Sequence, residues 1–205
     1  MAQTATLDYR SFGSYKPLFL DYLDRFEKLS PFFSGNPYEK SSWQRIAEEL
    51  KRREHPRARV ADALRSLNRD ASCDAATLGS LDALASGALA VVTGQQVGLF
   101  GGPLYTLYKA LTAVRLAEWA GAELGTKVVP IFWMDADDHD FAEVQKSYLV
   151  DRNGKLRQLL YESTRRFERL PVGSLVLEPA VEKLMSSASN ALPDTEFKAD
   201  IFGTL

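Results

Sequence analysis

The sequence predicts an α/β protein with a parallel-sheet core preceded by a helical segment. Two apolar runs, residues 88–92 and 127–134, bracket a glycine-rich turn and a helix-periodic stretch within about 45 residues. Strand, turn, helix and strand in that span form the pattern of a right-handed βαβ unit with parallel strands. The residues before position 87 are mostly polar, with apolar groups at helical spacing. We therefore divide the chain into a helical segment, 1–86, and a core, 87–205.

The elements follow in order. Leu18, Leu20, Tyr22, Leu23 and Phe26 lie near helical spacing, and Ser30-Pro31 ends that run, because the residue before a proline disfavours helical dihedrals. Phe32, Phe33, Gly35, Asn36 and Pro37 make a turn. A second helix, 39–53, carries Trp43, Ile46, Ala47 and Leu50 on one face and closes at His55-Pro56. Helices at 58–68 and 75–85 lead to a stop at Ser86-Gly87.

Residues 88–92 are continuously apolar, as in strands buried on both faces. A loop rich in glycine follows, and Pro103 suits the first turn of the next helix, 104–119. Gly121 and Gly125 end that helix, and 127–134 forms the second buried strand. A short helix is expected after Asp140. Strands at 147–151 and 155–161 form a hairpin about Asn153-Gly154, a pair that favours the type I′ turn. A helix follows at 180–191. No element closes residues 201–205, so the expectation is an incomplete chain.

Composition narrows the function. The 205 residues hold 25 Lys and Arg against 27 Asp and Glu, a net charge of −2, and 45% are apolar. A general nucleic-acid binder would show a strongly basic face, so that class is disfavoured. Cys73 is the lone cysteine and makes no internal disulfide. The N-terminus lacks the basic-then-apolar order of a secretory signal, and no apolar run approaches the roughly 20 residues that cross a bilayer. The expectation is a cytoplasmic protein with no membrane partner.

Two constellations carry chemistry, and both fall at the carboxyl ends of the predicted strands, where open α/β sheets place ligands. The first is the stretch 94–102, with four glycines in nine residues: Gly94, Gly98, Gly101 and Gly102. Glycines let the main chain approach a ligand, and amides at a helix start bind anions. A tight crossover that needs small residues accounts for the glycines equally well. Gln95 and Gln96 favour ligand contact, because a turn has no need of two long amides. The Gly-x-Gly-x-x-Gly and Walker patterns are both absent. On the next helix Tyr105, Tyr108 and Lys109 have polar tips. Lys109 either swings toward a bound anion or snorkels to solvent.

The second constellation, Asp135, Asp137, Asp138, His139 and Asp140, packs four carboxylates and an imidazole into six residues after a buried strand. Crowded carboxylates repel, so a cation, a basic substrate or a shared proton is their natural stabiliser. If a helix begins at Asp138, His139 and Glu143 lie four apart on one face, a spacing open to a divalent ion or an oriented pair. The competing reading is an acidic helix cap. General acid–base work by His139 and recognition of an amino group by the carboxylates are the functional readings. Arg165, Arg166 and Arg169, the basic run 51–59, His55 and Cys73 read as solvated or structural.

The run Val92-Thr-Gly-Gln-Gln-Val-Gly-Leu-Phe-Gly-Gly-Pro-Leu-Tyr-Thr-Leu-Tyr-Lys109, with Val129-Pro-Ile-Phe-Trp133 and Asp138-His-Asp140, resembles the bacillithiol-biosynthesis cysteine-adding enzymes, the cysteine ligase family. The clear match covers residues 88–150. The resemblance implies a Rossmann-like core joined, beyond this chain, to a C-terminal coiled coil that makes a homodimer. It implies addition of cysteine to the amine of glucosaminyl malate, with ATP or ADP as the nucleotide; a metal requirement stays open. Asp137 stands where the resemblance leads us to expect Glu. In this reading Asp138, His139, Asp140 and Lys109 are catalytic. Gly94, Gln95, Gln96, Gly98, Gly101, Gly102 and Tyr105 bind nucleotide or substrate. The alternative is a non-catalytic nucleotide- or metabolite-binding module.

Overall fold

The structure is a computed structural model that describes residues 5–163 and 170–204. Arg165, Arg166 and Arg169 lie outside the described residues. The chain divides into two compact units, residues 1–89 with 119–128, and residues 90–118 with 129–205.

The first unit is helical. Helices α1 (Pro17–Asp24), α2 (Lys40–Arg52), α3 (Arg57–Asp70) and α4 (Ala75–Ala85) follow one another. Helix α1 ends before Ser30-Pro31, and two short 3-10 turns, Phe26–Lys28 and Ser30–Phe32, carry the chain onward. Phe26 is buried against Tyr22 and Phe33, so the aromatic cluster, more than the proline, organises this corner. Asp74 caps α4 by accepting from the Thr77 amide at 2.8 Å. Trp43 meets Trp119 edge to face at 5.2 Å, and Lys40 pairs with Glu123.

Strands β1 (Leu89–Gln96) and β2 (Val128–Asp135) form a two-stranded sheet joined through helix α5 (Leu104–Leu124). The strands are parallel. The Leu89 amide donates to the Lys127 carbonyl at one end, and Gly94 lies against Trp133 at the other, so residue numbers rise together along both strands. The sheet core of Leu89, Val128 and Val129 is buried, as are Ala113, Ala117 and Ala120 of α5.

Three sequence expectations are corrected here. Helix α5 runs through Gly121 to Leu124 and ends at Gly125, which has φ +58°. Gly121 is a close-packing position, because a Cβ there would lie 3.2 Å from the Thr126 carbonyl oxygen. Strand β1 is longer than its apolar run and includes Gly94, Gln95 and Gln96. The strands are also not buried on both faces: Val92 is 65% exposed and Trp133 57%, because among the described residues this sheet has two strands and α5 covers part of it.

After β2, helix α6 (Phe141–Val144) leads to an antiparallel hairpin of β3 (Lys146–Val150) and β4 (Leu156–Leu160), paired from Lys146 with Leu160 to Val150 with Leu156. The connection is not type I′. Gly154 has φ +74°, but Asn153 does not have positive φ. Asp151 decides the turn instead: its Oδ1 accepts from the amides of Asn153 at 2.9 Å and Lys155 at 3.0 Å. Helices α7 (Ala180–Ala191) and α8 (Lys198–Thr204) complete the described chain. Among the described residues no helix is long and apolar enough to cross a membrane.

Candidate functional site

The extension of β1 through Gln96 determines what the two glutamines do. Side chains alternate along a strand, so adjacent glutamines face opposite ways. Gln95 turns to α5, where its Oε1 accepts from Lys109 Nζ at 3.1 Å and its Nε2 donates to the Tyr105 hydroxyl at 3.3 Å. Gln96 turns the other way, and its Nε2 donates to Asp138 Oδ2. The end of one strand thus links the helix after the glycine turn to the acidic stretch after the second strand.

The glycines divide by role. Gly94 lies inside β1, where a Cβ would stand 2.7 Å from the Trp133 carbonyl oxygen, so close approach of the neighbouring strand requires its bareness. Gly98 and Gly102 touch across the turn: a Cβ on Gly98 would stand 2.9 Å from the Gly102 Cα. Between them Leu99–Gly101 make one 3-10 turn, with Phe100 at φ +56°, Gly101 at +83° and Gly102 at +77°. Phe100 is a bulky side chain held in the left-handed region, a strained conformation of the kind found at ligand clamps. At the start of α5 the Thr106 hydroxyl is buried without a hydrogen-bond partner and would meet a Cβ on Gly102 at 3.3 Å.

Lys109 does not simply run to solvent. It holds the neutral Gln95 amide and has no carboxylate partner among the described residues. It also lines a groove of about 350 Å³ between β1 and α5, together with Thr93, Tyr105 and Tyr108. A cation paired only with an amide, on a groove wall, is placed to attract an anion.

The acidic stretch is a loop braced from two sides. The Asp138 side chain accepts from the His139 amide at 2.6 Å and the Asp140 amide at 3.3 Å, besides the Gln96 amide. The Gln96 hydrogen bond first, and then the His139 amide, hold the Asp138 carboxyl below its usual range. From the other side the Val172 amide donates to the Asp138 carbonyl and the Gly173 amide to the Ala136 carbonyl, both at 2.8 Å. Gly173 is packed so closely that a Cβ would stand 2.9 Å from that of Ala136. Sequence reasoning missed this brace, because main-chain bonds leave no residue signature beyond the glycine itself.

Asp138 does not begin a helix. Asp140 is the cap of α6, accepting from the Glu143 amide at 3.0 Å, and His139 lies before it. The expected helical pairing of His139 with Glu143 is therefore not formed. Among the described residues no three His, Cys, Asp or Glu side chains gather as metal ligands. His139, next to Asp138 in the chain, is exposed.

A parallel βαβ unit with polar side chains and a strained glycine turn at its strand ends defines a Rossmann-like core. The family model described as Bacillithiol biosynthesis BshC, N-terminal Rossmann-like domain, matches residues 3–205, and the chain belongs to that family. Relatives named "Putative cysteine ligase BshC" include those of Salinibacter ruber (34% identical over 91% of this chain and 34% of the relative), Solibacter usitatus (39%, over 90% and 33%) and Koribacter versatilis (38%, over 87% and 33%). The chain spans about a third of the length of these relatives.

Proposed function

We propose that the chain carries the ligand-handling core of a ligase that joins cysteine to the amine of glucosaminyl malate, the last step of bacillithiol formation, with ATP as co-substrate. Family membership and the name of the relatives support the reaction class. The observation that carries the site is the Gln96–Asp138 hydrogen bond, which holds the two constellations together.

The residues fit a nucleotide phosphate. The open side of Gly101, on a turn closed by the Gly98–Gly102 contact, admits a close main-chain approach, and Lys109 has no competing carboxylate among the described residues. The orphaned Thr106 hydroxyl supports the same reading, because a buried donor without a partner is costly. Bound there, the nucleotide supplies activation of a carboxylate. Gln95 fixes the Lys109 ammonium and shares the Tyr105 hydroxyl, while Gln96 fixes Asp138. Asp138, held ionised, recognises the attacking amine as its ammonium ion. His139 takes the first proton from that ammonium and so frees the lone pair that attacks the activated cysteine carboxylate. As the amide forms, the activating phosphate or nucleotide group leaves the carboxyl carbon and the second nitrogen proton passes to solvent. Asp140 holds the start of α6 and so sets where His139 stands. Gly94 sets the spacing of the two strands beneath. A homodimer and a coiled coil belong to the same proposal through the family.

The test is formation of a cysteine-dependent product from ATP, cysteine and glucosaminyl malate, followed by mass spectrometry, with calorimetry on each ligand. The proposal predicts product, and its strong reduction in Gln95→Ala, His139→Ala and Asp140→Ala proteins that remain folded. Ligand binding without turnover in the wild type points instead to a metabolite-binding module, and wild-type turnover in all three variants removes this site.

A further inference from the structure

The hairpin and α7 enclose a second polar groove, remote in sequence from the glycine turn. Its volume is about 630 Å³, and its lining includes Arg152, Arg157, Lys183, Ser187 and Asn190. Asp151 is the one carboxylate in that lining, and its side chain is only 1% exposed. It is fully engaged: Oδ1 accepts two turn amides and Oδ2 accepts from Arg157 Nε at 2.7 Å. Using Nε for this bond leaves the two terminal nitrogens of the Arg157 guanidinium free to face a ligand as a fork.

The other two lining cations make no ion pair within the lining, though Asp194 lies within electrostatic reach of Arg152. Arg152 donates through Nη2 to the Asn190 and Leu192 carbonyls at the end of α7, which fixes its position without a carboxylate. Lys183 has neither a hydrogen bond nor an ion pair among the described residues. Lys183, Ser187 and Asn190 recur at helical spacing on one face of α7, so an ammonium, a hydroxyl and an amide project together. Three cations against one buried carboxylate leave a surplus of two positive charges.

We propose that the groove between the β3–β4 hairpin and α7 is a binding site for a phosphate group, held by the Arg157 fork, Lys183, Ser187 and Asn190. At neutral pH a phosphate ester is mostly a dianion, which matches the surplus charge, and inorganic phosphate carries between one and two negative charges. Its tetrahedral oxygens accept from several directions, as these donors on two elements require. Asp151 is a positioning residue that aims Arg157.

The experiment is a titration of the whole chain with inorganic phosphate, and in a parallel arm with glucose 6-phosphate, at fixed ionic strength, followed by amide chemical shifts. Saturable shifts at 151–157 and 183–191 are expected, with affinity falling about fivefold or more in Lys183→Ala and in Asn190→Ala. These positions are exposed, so the variants keep the fold. Tighter binding of the ester assigns the groove to a phosphorylated metabolite, and tighter binding of phosphate to the free ion. Wild-type affinity in Lys183→Ala, shifts confined to residues 93–109, or no saturable shift overturns the proposal. Since Lys109→Ala leaves this groove intact, that variant separates failure here from failure of the glycine-turn site.

Discussion

Gln96 and Asp138 stand 42 residues apart in the chain and are joined side chain to side chain. The bond ties the end of β1 to the loop after β2, so each strand end fixes the conformation of the other.

Replacing Gln96 by Leu removes the donor that contributes most to lowering the Asp138 carboxyl. The folded-state value of Asp138 lies below its ordinary 3.8, so its contribution to stability is present above that pH and is lost as pH falls through the folded value. In Gln96→Leu the carboxyl should titrate closer to its ordinary value, so the loss begins at a higher pH. Carboxyl carbon shifts measured from pH 6 to 2 check this; an unchanged Asp138 titration shows the bond is not formed in solution.

Alanine at Gly94 or Gly173 places a methyl group into the Trp133 carbonyl or the Ala136 side chain. Each should destabilise the protein by about 1–3 kcal/mol, as overpacking does. Alanine at Gly79, inside α4 with no atom within 4 Å of its Cβ, should stabilise by about 0.5–1 kcal/mol. Denaturant midpoints of the three variants give the signs.

Asp151 is held below the ordinary carboxyl range, first by Arg157 and next by the Lys155 amide. The same sign applies as for Asp138: its stabilising effect is complete above pH 3.8 and fades below it. Asp151→Asn loses the ion pair and should lower the thermal midpoint at pH 7, with the gap from wild type closing in acid. Calorimetric scans at pH 7 and pH 3 measure that gap.

Lys109→Ala should weaken nucleotide binding by tenfold or more, because a hydrogen bond to a charged group is lost, whereas Tyr105→Phe should change it by less than threefold. Isothermal titration with ATP compares them; equal effects would place Lys109 outside the site.

Much of this architecture is legible in the sequence. Helices α4 and α7 and the βαβ order follow from apolar spacing, and the hairpin from its turn. What escapes is long-range. Gln95 and Gln96 read as loop because polar residues after a glycine carry little strand signal, yet pairing with β2 draws them into β1. Asn153-Gly154 suggests one turn, but the buried carboxylate of Asp151 imposes another. The brace from Val172 and Gly173 is made by main-chain atoms, and exposure of the sheet depends on how many strands pair, which local pattern does not encode. At the acidic stretch, Asp140 proves to be a helix cap, as one of the two sequence readings held, while Asp138 is held by Gln96.

The most direct test of a single shared ligand site is a titration of the labelled protein with ATP, observing the amides of Gly98, Gly101 and Gly102, the Gln96 side-chain amide and the His139 ring together. We expect all of them to move along one saturation curve. Movement of the glycine turn with a silent acidic loop, or two curves of different midpoint, contradicts the account.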